Sequence, residues 1–179
     1  MIKVLKRFSY FLLCLLFFLQ LFIIFLPKEQ IFNYLKDKTK AYHVILHSKI
    51  AKDKGIKLLL KNNSLVYNGL KVASIKNISV DIFIFYTQIN IKNTILSEII
   101  ENIMPRHISQ IKIYWSPFIL NHIGLKANGA MGVVSGYIDL FHKKIILILK
   151  PSKLMRTRYS ATLRQMKKSN KGYRYVYNF

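Results

Sequence analysis

Acidic side chains are few and scattered along this sequence, which argues against catalysis by a pair of carboxylates. The chain has 7 Asp and Glu residues against 29 Lys and Arg. General acid–base catalysis needs such groups held together around one substrate. Glu98 and Glu101 share one helix face, but they stand beside Ile99 and Ile100, a pattern typical of the solvated side of an amphipathic turn. We therefore predict no carboxylate site.

The histidines, serines and glycines also lack the context of a catalytic or metal site. His43 and His47 lie four residues apart and would face one metal ion if helical, but no Glu of an HExxH motif and no third ligand accompany them. A surface pair is the favoured interpretation. No serine lies in a GxSxG elbow, and the glycine-containing residues 129–136 lack a phosphate-loop lysine. The sequence predicts no enzyme, no cofactor and no metal.

The C-terminal region mixes cations with tyrosines and is the best candidate for binding an anionic ligand. Cations on a helix could contact phosphates, and exposed tyrosines could stack on bases. The alternative is that the tyrosines complete a sheet while the cations are solvated. The candidate DNA or anionic-ligand contacts are Arg156, Arg158, Arg164, Lys167, Lys168, Lys171 and Arg174, and the candidate stacking residues are Tyr159, Tyr173, Tyr175 and Tyr177.

The charge balance of the whole chain is compatible with three kinds of partner. The formal net charge is +22. A field of that sign attracts nucleic acid, anionic lipid or an acidic protein surface, and it does not choose among them. The abundance of Ile, Lys and Asn is also typical of AT-rich genomes, so codon bias is a competing explanation of the charge.

The strongest signal in the sequence is an apolar run over residues 8–26. It contains no charged residue, and a helix of this length is about 28 Å long, enough to cross a bilayer core. No small-residue cleavage site follows it, so we expect an uncleaved transmembrane helix. Cys14 lies inside the run, which leaves no cysteine for a disulfide. Basic residues before the run predict a cytoplasmic N-terminus at residues 1–7 and a domain on the far side.

The remaining elements predict a mainly β (α+β) fold with antiparallel strands and a few short helices. Residues 27–55 have helical periodicity and are expected to form a juxtamembrane helix. The basic strand-rich domain is expected over residues 56–179, with an Asn68–Gly69 hairpin turn. A short helix at 96–104 should separate two sets of strands, the second of them spanning residues 111–150. A basic helix at 153–169 and a final aromatic strand at 173–179 should close the domain.

This layout resembles the inner-membrane N component of type II secretion systems. Most of the similarity lies in residues 127–153, ANGAMGVVSGYIDLFHKKIILILKPSK, where a glycine-containing strand is followed by G-x-I-D-L, a turn and a strand ending near proline. The same segment is similar to pieces of AsmA-like periplasmic proteins. Among shorter relatives, the chain resembles the membrane-anchored component of the Campylobacter-type transformation system.

The resemblance implies a structural or assembly component of a secretion-like or DNA-uptake machine, held in the bacterial inner membrane with its domain in the periplasm. Its expected partners are the membrane and other machine subunits, with DNA or anionic lipid as further partners. The AsmA-like resemblance implies an alternative, the binding of lipid or envelope cargo in an apolar sheet groove. Neither resemblance carries a catalytic residue.

Overall fold

The computed structural model describes residues 2–179, except for the side chains at positions 2, 4 and 5. The chain begins with helix α1, Ile2–Phe25. Its window Lys6–Phe25 has a mean hydropathy of 2.5, and none of that window is buried inside the protein. By length and composition, α1 is the one described helix that could span a membrane; a signal sequence meets the same criteria.

The predicted juxtamembrane helix is wrong beyond its first half. Helix α2 covers Lys28–Lys40 only, and strand β1 covers Val44–Asp53. As a strand, β1 pairs along its length with the next strand and places Leu46 and Ala51 against a hydrophobic core. An isolated helix would have made only local hydrogen bonds, so tertiary pairing overrides the helical periodicity. The strand-rich domain therefore begins at residue 44 rather than 56.

Ten strands form one antiparallel sheet, which confirms the predicted strand-rich fold class. The first eight strands follow one another in space as they do in sequence, and the last two lie beyond β8 in the order β10, β9. Neighbouring strands therefore run in opposite directions, and the connections from β1 to β8 alternate between the two ends of the sheet. After β1, the strands are β2 Lys57–Tyr67, β3 Leu70–Phe83, β4 Tyr86–Leu96, β5 His107–Trp115, β6 His122–Gly129, β7 Gly132–Asp139, β8 Lys144–Pro151, β9 Lys167–Ser169 and β10 Gly172–Asn178.

Two predicted helices are much shorter than expected. The segment 96–104 contains only a 3₁₀ turn, Glu98–Ile100, and β4 pairs directly with β5, so the two sets of strands are one sheet. The basic segment 153–169 forms α3, Lys153–Arg158, and α4, Ser160–Arg164, before entering β9. The Asn68–Gly69 turn is confirmed by φ angles of 49° and 78°, and the final strand is confirmed as β10.

Strand alternation gives the sheet an apolar inner face and a polar outer face. Helix α2 packs Phe32 against the inner face at its β1–β4 end, and the segment from α3 to α4 packs Met155, Tyr159 and Leu163 against the other end. Among the described helices, α2, α3 and α4 all pack on the inner face. One inner cross-strand row consists of Leu60, Ile78, Ile91, Ile111, Ala127, Val134, Leu149 and Tyr173.

The junction between α1 and the sheet is held by Lys28, which is 3% exposed. Its Nζ donates to the carbonyl oxygens of Ile23, Ile24 and Leu26 at 2.7, 3.3 and 3.1 Å, and so caps the end of α1. The same Nζ lies 3.7 Å from Asp53 Oδ1, and the Lys28 backbone N–H donates to Asp53 Oδ2 at 3.0 Å. Lys28 thus ties the C-terminal end of α1 to the β1–β2 hairpin.

Candidate anion-binding face and apolar cavity

The basic residues singled out in the C-terminal region are all exposed, but they lie on several elements. Arg158 is partly engaged, because its guanidinium lies 3.6 Å from Glu101 Oε1 and stacks over the Tyr159 ring. Only Arg174 and Lys167 stand opposite each other on the sheet. Arg156 and Arg158 lie on α3, Arg164 lies on α4, Lys167 and Lys168 lie on β9, Lys171 lies in the turn that follows and Arg174 lies on β10.

The tyrosines of β10 do not share the face of the sheet that carries Arg174. Tyr159 is 5% exposed and belongs to the core beside Met155, so it is not accessible for stacking on a base. Tyr173, Tyr175 and Tyr177 pair with Leu149, Leu147 and Ile145 and therefore share the inner face with them, whereas Arg174 points to the outer face. The alternating tyrosines complete the sheet, as the competing interpretation expected.

The outer face carries a larger group of cations that the sequence analysis did not identify. We call Lys61, Lys92, Lys112, Lys126, Lys150 and Arg174 the cationic face. They occupy two adjacent cross-strand rows, in which the other positions are mostly Asn, Gln and Ser. The first row is Lys61, Asn77, Lys92, Gln110, Asn128, Val133 and Lys150; the second is Leu59, Ser79, Asn90, Lys112, Lys126, Ser135, Ile148 and Arg174.

Like charges stand directly opposite each other on this face. Lys112 pairs with Lys126 across β5 and β6, and Arg174 pairs with Lys167 across β10 and β9. Directly opposed like charges destabilise a sheet. Among the described residues, none of these four side chains forms an ion pair with a carboxylate. A bound anion would relieve this repulsion.

The two acids on the outer face interact with neighbours other than the cationic face. Asp81 accepts an ion pair from Lys57 at 3.1 Å. Asp139 accepts hydrogen bonds from the His142 backbone N–H and ring, which lower the pKa of its carboxyl group, with a smaller contribution from His122. The field above the cationic face therefore remains positive.

Shallow grooves between the side chains give the outer face places where an anion can approach. A groove of about 310 Å³ is lined by Lys57, Lys61, Asn90 and Lys92, and one of about 220 Å³ by Gln110, Lys112, Lys126 and Asn128. A third groove, of about 530 Å³, lies where Asn62 and Asn93 adopt positive φ angles of 52° and 55°. Its other polar lining residues include His47, Lys49, Lys71 and Lys76.

The inner face contains an apolar cavity of about 350 Å³. It lies between the sheet and the α4 segment, where Met155 and Met166 face Val134, Leu147 and Leu149. Its volume falls in the range of small-molecule sites, and methionines adapt readily to irregular apolar ligands. Polar lining is limited to Thr162, Gln165 and the hydroxyl groups of Tyr173 and Tyr175.

The two candidate metal-binding histidines do not lie on one helix. His43 is in a turn with a φ angle of 58°, and His47 is in β1. Within residues 2–179, no three His, Cys, Asp or Glu side chains are grouped as metal ligands. Comparison with known proteins adds no assignment, since no family model, curated protein or solved structure matches this chain.

Proposed function

We propose that this chain is a membrane-anchored, non-enzymatic assembly component of a secretion-like or DNA-uptake machine, and that its cationic face binds DNA. The directly opposed Lys112 and Lys126 are the observation that carries this proposal. Their mutual repulsion weakens the sheet unless a polyanion lies across it, and phosphate backbones are the polyanions for which such a row is suited. Helix α1 would hold the domain in the bacterial inner membrane, with the domain in the periplasm.

The docking of further subunits is supported by the open edge of β10. Strand β9 pairs only with residues 172–174, so the following residues of β10 have no strand beyond them. Free N–H and C=O groups along such an edge can accept a strand from another protein. Tyr175 and Tyr177 beside this edge are 42% and 51% exposed, which supplies apolar contact area for a partner strand.

Neutralising Lys112 and Lys126 should weaken DNA binding by about tenfold and lower the slope of log K against log salt by about 2. The variant is Lys112→Gln/Lys126→Gln in the full chain. The measurement is fluorescence anisotropy of labelled duplex DNA with the protein in phosphatidylcholine nanodiscs, over a range of salt concentrations. Phosphatidylcholine has no net charge, so the lipid does not compete for the cations.

The matched control removes the same charge elsewhere, with Lys38→Gln on α2 and Lys153→Gln on α3, both exposed. It should leave the salt slope nearly unchanged. If both double variants lost DNA affinity equally, binding would depend on the net charge of the chain and not on the cationic face. That result would refute the assignment. Equal binding of poly-glutamate would assign the face to an acidic protein instead of DNA.

A second function, the binding of an acyl chain, is supported by the apolar cavity on the inner face. Adjacent positions of β7 give a matched pair of variants, since Val134 lines the cavity and Val133 is 52% exposed on the outer face. Val134→Trp should fill the cavity and lower the affinity for a fluorescent fatty acid by about tenfold, because the ligand would lose its contacts there. Val133→Trp should bind as the original chain does. Binding should also be insensitive to salt, and similar affinities for the two variants would exclude this site.

A further inference from the structure

The β1–β2 hairpin lies next to the C-terminal end of α1, and the antiparallel strand order places other connections on the same side of the sheet. We call this side the α1 end. It consists of the β1–β2 hairpin, residues 83–86 between β3 and β4, residues 115–122 between β5 and β6, residues 139–144 between β7 and β8, and Phe179. Phe179 is held there because its N–H donates to the Lys143 carbonyl oxygen at 3.0 Å.

Three contacts fix α1 at this end. A Cβ atom built on Gly55, in the β1–β2 hairpin, would lie 3.4 Å from Ile24 Cγ2. Lys28 joins the last carbonyls of α1 to Asp53, and α1 also contacts β3. In the last two turns of α1, Gln20, Leu21, Ile23 and Ile24 are half-buried, while nearly all earlier described positions are exposed. The β1–β2 hairpin at the α1 end therefore lies beside the last turns of the helix.

Every phenylalanine after Phe32 lies at the α1 end, and all are exposed. We call Phe83, Phe85, Phe118, Phe141 and Phe179 the aromatic rim. Their exposed fractions are 41%, 45%, 77%, 78% and 55%. The Phe85 and Phe118 rings stack with centroids 5.3 Å apart, so they form one surface. The single Trp of the chain, Trp115, lies at the same end, and the opposite end of the sheet has no Phe or Trp.

Apolar side chains between the rim phenylalanines extend this surface. Ile119 and Leu120 beside Phe118 are 56% and 64% exposed, and Leu140 beside Phe141 is 45% exposed. Exposed apolar patches of this kind mark binding surfaces for membranes or proteins. Lys54, Lys143 and Lys144 stand among the same loops and are exposed or nearly so. Aromatic residues next to lysines are typical of the boundary between acyl chains and headgroups.

We propose that the aromatic rim is a second membrane contact, inserted into the interface of the same bilayer that α1 enters. The inference rests on the proposed membrane anchor, because the rim meets that bilayer only if α1 spans it. The bilayer is favoured as the occupant because the rim lies on the side of the sheet to which the end of α1 is fixed. Several loops would then contact the bilayer and fix the orientation of the domain, with the strands directed away from the membrane.

The test places a single tryptophan at chosen positions of the full chain, with Trp115→Phe removing the native one. The proteins are reconstituted into phosphatidylcholine vesicles with brominated acyl chains, which quench tryptophan only at close range. The rim probes are Phe118→Trp and Phe141→Trp. Leu70→Trp is the matched control, since Leu70 is 60% exposed at the opposite end, and Phe17→Trp reports on α1. Circular dichroism of each variant verifies its strand content.

We expect the brominated lipid to quench tryptophan emission at positions 17, 118 and 141. Emission at position 70 should be unchanged. Quenching at 17 together with emission at 118 and 141 equal to that at 70 would overturn the rim contact and leave the anchor standing. If emission at 118 and 141 were blue-shifted but unquenched and dependent on protein concentration, the rim would be a contact between copies of the chain. Absence of quenching at 17 would overturn the anchor and the rim together.

Discussion

Gly136→Ala should destabilise the domain by more than about 3 kcal/mol, because the added methyl group has no space beside β8. A Cβ atom at this position would lie 2.1 Å from the Ile146 carbonyl oxygen and 3.0 Å from Leu147 Cα. Both are backbone atoms, so neither can rotate away. The strands β7 and β8 would have to separate, and both contribute residues to the inner core.

The measurement is thermal unfolding of the full chain in detergent micelles, followed by the strand signal in circular dichroism. A loss of this size should lower the Tm by roughly 10 °C for a domain of this length. It is also a large share of the total stability of an ordinary domain.

Gly69→Ala is the matched control, because it separates lack of space from backbone strain. Gly69 has a φ angle of +78°, but no atom lies within 4 Å of its ideal Cβ position. Its replacement should cost only about 1–2 kcal/mol, the penalty of the left-handed conformation. Equal Tm values for Gly136→Ala and the original chain would show that β7 and β8 can move apart freely, contrary to the packing described here.

The sequence identified local features of this fold better than long-range ones. The Asn68–Gly69 turn and the alternating final strand were predictable, since each depends on a few adjacent residues. Residues 44–53 form a strand mainly because they pair with β2. The periodicity of residues 44–53 carries no information about this pairing, so it predicted a helix there.

The candidate site shows the same limit in a different form. The outward direction of Lys112 follows from the alternation in IKIYW, and that of Lys126 follows from its apolar neighbours. Their direct opposition depends on the register between β5 and β6, which includes an irregularity near Ile108. A one-residue shift would have separated the two charges, so no count of lysines could have predicted the row. The tyrosines left two interpretations open in the sequence, because a half-buried edge strand and a stacking surface share the same alternating pattern.

Lys28→Met should weaken the attachment of α1 to the sheet. We expect the free energy of this attachment to become less favourable by about 2–4 kcal/mol. Methionine fills similar space, but it leaves the carbonyl oxygens of Ile23, Ile24 and Leu26 without their ammonium donor. Asp53 would also lose its cation, although its side chain is 26% exposed and water would compensate in part. The backbone contacts to Asp53 would remain, so the domain itself should stay folded.

The loosening can be measured as a distance distribution between spin labels in nanodiscs. One label is attached to Cys14 in α1, which is exposed, and the other to Leu70→Cys at the far end of the sheet. Lys28→Met should broaden the distribution. The control is Lys40→Met, which removes an exposed 2.8 Å ion pair with Asp37 and should leave the width of the distribution unchanged, since surface pairs contribute little.

If the aromatic rim also holds the domain on the bilayer, replacing Phe118 and Phe141 by alanine should broaden the Lys28→Met distribution further. A distribution that stays narrow in Lys28→Met with both phenylalanines removed would mean that neither contact orients the sheet.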